Sequence, residues 1–280
     1  MPLSRRDFLV AAAMLSVTSV WAAEDIFAEL ERQSGGRLGI AVLDTENGRR
    51  IEHRADERFA MCSTFKFLLV AAVFARIDAG KENPDRIISF GKDDIIINSP
   101  TTAQHLGGMS VFALLQAAIQ LSDNAAANLL LASLGGPSGW TAFARSLGDS
   151  VSRLDRNELD LNFVGPGDLR DTTTPAAMLK NLHTVLLGNV LSAASRQKLE
   201  DWMATATTGL TRLRAGVPQS WKCADKSGTS YTARNDIAFL QPPGRAPILV
   251  CAYTNGIKLS DEKADAVLAQ IGCIVANTVK

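Results

Sequence analysis

With 280 residues, 46% hydrophobic and 21% charged, the chain has the composition of a globular protein with a sizeable core, which excludes a disordered or fibrous chain. Its 29 Lys and Arg balance 29 Asp and Glu, so there is neither a basic excess to neutralise phosphates nor an acidic tail. Nucleic acid and anionic membrane surfaces are thereby excluded as main partners, and a small-molecule substrate is expected.

The chain opens with Ser4-Arg5-Arg6-Asp7-Phe8-Leu9, a twin arginine ahead of an apolar stretch over residues 9–20, and Val20-Trp21-Ala22 fits a small-residue cleavage site. This predicts a cleaved export signal over residues 1–22, a mature chain beginning near Ala23, use of the twin-arginine export machinery and a periplasmic or secreted location. A membrane anchor is disfavoured, because the apolar stretch is too short to span a bilayer.

Residues 25–33 predict a helix and residues 37–44 a buried strand that turns at Glu46-Asn47-Gly48. Residues 64–79 are apolar on nearly every face and stop at Gly80, the pattern of a helix buried in a core. Helix starts or helical periodicity follow over residues 110–121, 125–134, 138–147, 175–187 and 192–203. Residues 153–173, rich in Gly, Pro, Asn and Asp, predict a long loop, and long loops inside compact domains are more often functional than accidental. Short apolar runs at 221–226, 234–240 and 248–253 predict strands, and 260–279 a terminal helix opened by Ser260-Asp261-Glu262. The expected fold is of α/β (α+β) type: an antiparallel sheet built from both chain ends with flanking helices, plus an all-helical lobe, with the active site between them. In residue terms the α/β lobe takes about 23–60 and 205–280 of the single domain 23–280, and the helical lobe about 61–204.

Cys62, Cys223, Cys251 and Cys273 lack metal-ligand spacing and are expected as buried free thiols. His53, His105 and His183 are scattered without H-x-H or H-E-x-x-H spacing, so no zinc ligand set is visible and neither metal nor cofactor is expected.

Four short patterns carry chemistry. Ser63 and Lys66 stand one turn apart at the start of the buried helix, where they face the same way and where free N–H groups and the positive dipole end favour an oxyanion. Taken alone, a capping serine with a solvated lysine fits as well, although an unpaired ammonium on a buried helix is costly. Ser122-Asp123-Asn124 interrupts two helices and also suits an N-cap. Glu158 leads Glu158-Leu159-Asp160-Leu161-Asn162, and Lys226-Ser227-Gly228-Thr229 ends a strand.

In this order the four resemble the active site of the class A serine β-lactamases, whose signature with the penicillin-binding proteins is S-x-x-K, S-D-N and K-T-G. The resemblance spans the chain after the leader. It implies Ser63 as nucleophile, Lys66 and Ser122 as proton carriers, Ser122 serving the leaving nitrogen, and Asn124 binding the substrate's amide side chain. Residues 153–162, with Asp171, match the family's omega loop almost throughout, which implies that Glu158 and Asn162 hold the hydrolytic water and that Arg156 pairs with Asp171 to close the loop. The chemical need is plain, since an acyl-serine ester persists until a carboxylate base activates water against it. Lys226 and Ser227 are implied as carboxylate binders, Gly228 as part of that strand's substrate edge, and Thr229 as donor of a second oxyanion N–H. The guanidinium that helps them is implied at Arg212 or Arg234, Arg212 being favoured for its uninterrupted spacing to Lys226. Whether Lys66 or Glu158 takes the serine proton in acylation stays open.

The resemblance has departures. Asn98 stands where many members carry an aromatic residue, and the segment from Gly228 to Asn235 is about one residue shorter than in common relatives. Cys62 matches carbapenem-hydrolysing members, but their partner cysteine falls on Ser230, so no bridge is expected there. The implied activity is hydrolysis of penicillins and cephalosporins by an exported monomer, which gives antibiotic resistance. A DD-peptidase shares three motifs but not the glutamate in this loop, and a β-lactam sensor domain would need transmembrane segments that the sequence does not show.

Overall fold

The computed structural model describes residues 20–278. The twin arginine lies outside the described residues, as does the predicted leader apart from residues 20–22, which open the first helix. This helix, α1 (Val20–Ser34), leads to β1 (Arg37–Asp44) and, round a turn with Gly48 at φ 76°, to β2 (Arg50–His53). β3 (Phe59–Ala60) and a 3₁₀ turn over Cys62–Thr64 precede α2 (Phe65–Asp78). A short ribbon of β4 (Ile87–Ile88) and β5 (Met109–Ser110) is followed by α3 (Val111–Gln120), α4 (Asn124–Ser133) and α5 (Pro137–Ser146). The long loop then runs to β6 (Thr172–Thr173), which pairs with β3. The remainder is α6 (Pro175–Leu186), α7 (Ala193–Ala204), the single turn α8 (Leu213–Gly216), β7 (Lys222–Thr229), β8 (Arg234–Gln241), β9 (Ile248–Asn255) and α9 (Asp261–Thr278).

Five strands form one antiparallel sheet in the order β2-β1-β9-β8-β7, so the N-terminal strand is paired along its length with the last one. Side chains alternate across it. Ala41, Ala224, Ile237, Leu249 and Tyr253 face the helices that lie between residues 65 and 204. Leu38, Val42, Ala238, Val250 and Ala252 face α1 and α9. Inside the helical layer α2 is buried from Phe65 to Phe74, as its all-round apolar sequence requires. Trp140 of α5 donates its indole N–H to Phe65 O at 3.0 Å, and Trp202 of α7 stacks on Phe74 with ring centroids 5.6 Å apart.

The predicted helices and sheet strands recur within a few residues of their expected ends. The sequence did not announce β2, the two-residue ribbons or α8, since pieces so short carry no periodicity. All four cysteines are free, but Cys273 on α9 is half-buried, which corrects the expectation that all would be buried. Among the described residues no helix is long and apolar enough to cross a membrane.

Candidate active site

Ser63 sits in the 3₁₀ turn that delivers the chain into α2, directly after Cys62, whose φ of 46° places it in the left-handed region. Such strain in a non-glycine residue persists only where the surroundings fix it. Here Cys62 is fully buried, and burial pushes its thiol up to about 12 against a hydrogen bond from Ser230. One turn on, Lys66 is also fully buried and spends its ammonium on named acceptors: Ser63 Oγ at 3.1 Å, Ser122 O at 2.9 Å, Ser122 Oγ at 3.3 Å and Asn124 Oδ1 at 2.5 Å. A solvated lysine is thereby excluded.

Ser122-Asp123-Asn124 is the link between α3 and α4. Asp123 caps α4 by accepting Ala126 N–H at 2.9 Å, and also holds the 101–102 segment through Thr101 N–H, Thr102 N–H and the Thr102 hydroxyl at 2.9–3.0 Å. The capping role foreseen for it is real, and it frees its two neighbours for the cleft. Ser122 adopts φ 57°, and its carbonyl is met by Lys66. Asn124 donates Nδ2–H to Ile97 O at 2.9 Å, which turns its oxygen toward Lys66.

The long loop is folded around Asp171, fully buried at its far end. Its Oδ1 accepts the N–H groups of Asp155 and Arg156 at 2.7 and 3.0 Å, and its Oδ2 accepts Arg156 Nε at 2.5 Å. Held this way, the loop brings Glu158 to the mouth of α2. Ser63 Oγ donates to Glu158 Oε1 at 3.3 Å, Lys66 Nζ is 2.9 Å from the same oxygen, and Asn162 Nδ2 donates to Oε2 at 2.7 Å. Sequence reasoning missed Asn128. From α4 it clasps the Glu158 backbone twice, donating to Glu158 O at 2.9 Å and accepting Glu158 N–H at 3.0 Å. The signal was available: Asn128 lies four residues after Asn124, on the same helical face.

β7 is the outer strand of the sheet, and its Lys226-Ser227-Gly228-Thr229 lies within the strand at the edge beside Ser63. Gly228 permits this approach, because a Cβ there would stand 2.9 Å from Met61 O and 3.2 Å from Cys62 Cβ. Lys226, fully buried, donates to Ser122 Oγ at 3.1 Å and Ser227 O at 2.8 Å. Burial, and then the Lys66 ammonium, bring its own ammonium down to about 7, against Asp236 and Asp225.

The two candidate arginines differ in direction. Arg212 donates to Thr229 Oγ1 at 2.7 Å and to the carbonyls of Gly228 and Asn235 at 2.9 Å, while its Nε meets Asp265 at 2.9 Å. Arg234 bonds Ser230 O at 2.7 Å and Ala233 O at 3.1 Å and pairs with Asp261 on α9. A direct hydrogen-bond network thus joins Ser63, Lys66, Ser122, Asn124, Glu158, Asn162 and Lys226. Arg212 bonds the Gly228–Thr229 edge of β7 as well as the terminal helix, Arg156 and Asp171 stand back at the loop base, and the Arg234 side chain bonds only the β7–β8 turn and the terminal helix. Among the described residues no group of three His, Cys, Asp or Glu is gathered as a metal site requires.

A hydroxyl flanked by an ammonium and a carboxylate, with a second hydroxyl bridging two ammonium groups, can take up and hand on a proton on both sides of a bond at Ser63. The family profile described as the beta-lactamase enzyme family matches residues 22–279. The carbapenem-hydrolysing beta-lactamase KPC of Klebsiella oxytoca is 47% identical over 87% of this chain and 84% of its own. Beta-lactamase L2 of Stenotrophomonas maltophilia is 46% identical over 97% and 90%. An ancestral class A beta-lactamase superposes with a TM-score of 0.89 at 57% identity, covering 90% of this chain and 98% of that one. The putative class A beta-lactamase PenP of Rhodopseudomonas palustris gives a TM-score of 0.90 at 52% identity over 92% and 100%.

Proposed function

The chain belongs to the class A β-lactamases, serine hydrolases of β-lactams, and on that premise we propose that it opens the lactam through an acyl-enzyme on Ser63 and releases it with water activated by Glu158. Ser63 Oγ attacks the lactam carbonyl carbon as its proton passes to Glu158, or to Lys66 in its neutral amine form, each within hydrogen-bond reach. The N–H groups of Ser63 and Thr229 receive the oxyanion. As the C–N bond breaks, Ser122 delivers a proton to the nitrogen and is resupplied from Lys66 or Lys226, between which its hydroxyl lies, while the proton taken from Ser63 moves on through Lys66, so that Glu158 is again a carboxylate. Glu158 then takes a proton from water, the hydroxide oxygen attacks the ester carbon, and as the ester C–O bond breaks that proton passes to Ser63 Oγ, which restores both groups. Asn124 binds the amide side chain of the substrate, and Lys226, Ser227 and Arg212 its carboxylate. The class of substrate follows from membership, with penicillins and cephalosporins as the proposed range and antibiotic resistance as the consequence.

The observation that carries the deacylation step is the double hold on Glu158, with one oxygen turned to Ser63 at 3.3 Å and the other fixed by Asn162 at 2.7 Å. A chromogenic cephalosporin assay at excess substrate tests it. Many turnovers per enzyme are expected. A single stoichiometric burst would instead indicate a penicillin-binding peptidase or a sensor domain. The same proposal includes a division into an α/β lobe of about 23–60 and 205–280 and a helical lobe of about 61–204, with the site in the seam. It also includes export of a monomer to the periplasm through Arg5-Arg6. Arg5→Lys with Arg6→Lys should strand the enzyme in the cytoplasm, and undiminished periplasmic activity would refute that route.

A further inference from the structure

Directly behind Lys226, on the opposite face of the sheet, lie two acids that the mechanism does not use. Asp236 faces Ser227 across the β7–β8 ladder, and Asp225 is two residues before Ser227, so the two aspartates are diagonal neighbours on one face. Diagonal neighbours are about 7–8 Å apart, less at Cβ, and the two acids interact, Asp225 raising Asp236. Both are fully buried beneath the segment that carries Gly209 and Leu213, which presses against Asp225 and donates Leu213 N–H to Asp236 Oδ2 at 3.2 Å. Arg214 serves only one oxygen of Asp225, Oδ1, with Nε at 2.8 Å. Asp225 Oδ2 and Asp236 Oδ1 receive no hydrogen bond from any described residue. An ionised carboxylate oxygen left in that position loses its hydration without a donor to replace it.

We propose that Asp225 and Asp236 share one proton between these two oxygens, the O–H of one carboxyl donating to the carboxylate of the other, and that the shared pair is a positioning element for the Lys226 ammonium. Burial and the repulsion between the two acids favour one proton on the pair, and the surrounding cations favour keeping one charge. The groups facing Asp236 are Asp225, Arg212, Arg214, Lys226, Tyr253 and the Cys223 and Cys251 thiols, and those facing Asp225 are Arg214, Lys226, Asp236 and the Cys223 thiol. Burial drives both carboxyls above their ordinary range, and Asp225 pushes Asp236 further the same way. With one proton the pair keeps a single negative charge, enough to help hold Lys226 protonated where burial and Lys66 oppose it. The pair is in place before any substrate arrives, so its existence does not depend on the reading of Lys226 as a carboxylate binder; only its kinetic effect does.

Infrared spectra in D₂O at neutral pH test the shared proton. A protonated-carboxyl C=O band is expected that moves when the protein is made with ¹³C-aspartate and disappears in Asp236→Asn. Absence of an aspartate-derived band in the wild-type protein overturns the proposal even if the variant does not fold, and a band that survives in a folded Asp236→Asn assigns the proton elsewhere and also overturns it. The kinetic arm reads the alkaline limb of kcat/KM for a penicillin. Asp236→Asn alone leaves the single charge on Asp225 and should leave that limb in place, whereas Asp225→Asn together with Asp236→Asn removes the charge and should move the limb to lower pH; a uniform loss of rate with an unmoved limb in the double variant would mean a merely structural role and remove the positioning claim.

Discussion

Lys66 Nζ lies 2.9 Å from Glu158 Oε1, and neither side chain is open to solvent. The pair ties the start of α2 to the long loop, so Glu158, Lys66 and Ser63 are held as one unit. Removing one member of a buried ion pair leaves the other uncompensated. Here Asn124 and Ser122 still receive the ammonium, so the chief loss should be chemical.

Glu158→Gln keeps the shape and the bond from Asn162 but removes the proposed base. Acylation should persist while deacylation falls by about 10²- to 10⁴-fold, the usual contribution of a general base. Intact-mass measurement after mixing with a penicillin should then find the adduct on the peptide containing Ser63. Equal losses in both steps under stopped-flow would leave Glu158 without its step-specific role.

Arg156→Ser removes the side-chain half of the clasp on Asp171, leaving that buried carboxylate with two backbone N–H donors. A charged hydrogen bond of this kind contributes about 1.5–3 kcal/mol. The loop should become more sensitive to protease, penicillin turnover should fall, and bulkier cephalosporins should gain relative to penicillins. An unchanged cleavage pattern together with an unchanged substrate ratio would refute the linkage.

The way Arg156 and Asp171 meet shows what the sequence could carry. Motif residues on regular elements, such as Ser63 with Lys66 on α2, could be placed by helical period alone, and the sheet strands by their apolar runs. The path of residues 153–173 could not, because it is set by a buried carboxylate collecting N–H groups 15 and 16 residues away and by Asn128 reaching across from α4. Only resemblance supplied that loop's shape. The Asp225–Asp236 neighbourhood was equally illegible: it follows from strand register, which no local pattern fixes when both faces of a strand are buried.

The pH profile should report Lys226. Its ammonium titrates near 7 in the free protein, lowered chiefly by burial and next by Lys66. The charged form attracts a carboxylate, so kcat/KM for a penicillin should decline as pH rises through about 7. A bound carboxylate favours the charged form, so kcat should hold its plateau to higher pH than kcat/KM. Coincident alkaline limbs in the two profiles would contradict this assignment.

The last prediction separates the two arginines. Arg212 projects its guanidinium onto the Gly228–Thr229 edge of β7, where Thr229 Oγ1 accepts at 2.7 Å, and Asp265 fixes its Nε at 2.9 Å. Arg234 is equally buried, but its bonds run to the Ser230 and Ala233 carbonyls and to Asp261 on α9, away from Ser227. A carboxylate at Lys226 and Ser227 therefore has Arg212 as the further cation bonded to the Gly228–Thr229 edge. Arg212→Ala should raise KM for penicillins and cost about 1.5–3 kcal/mol of transition-state binding, roughly 10- to 100-fold in kcat/KM. Arg234→Ala should act mainly on stability, by releasing the β7–β8 turn from α9. Thermal melting and steady-state kinetics on both variants distinguish the roles. If Arg234→Ala cuts kcat/KM with an unchanged melting temperature while Arg212→Ala leaves it intact, the assignment is reversed. If neither moves kcat/KM, Lys226 and Ser227 hold the carboxylate without a guanidinium.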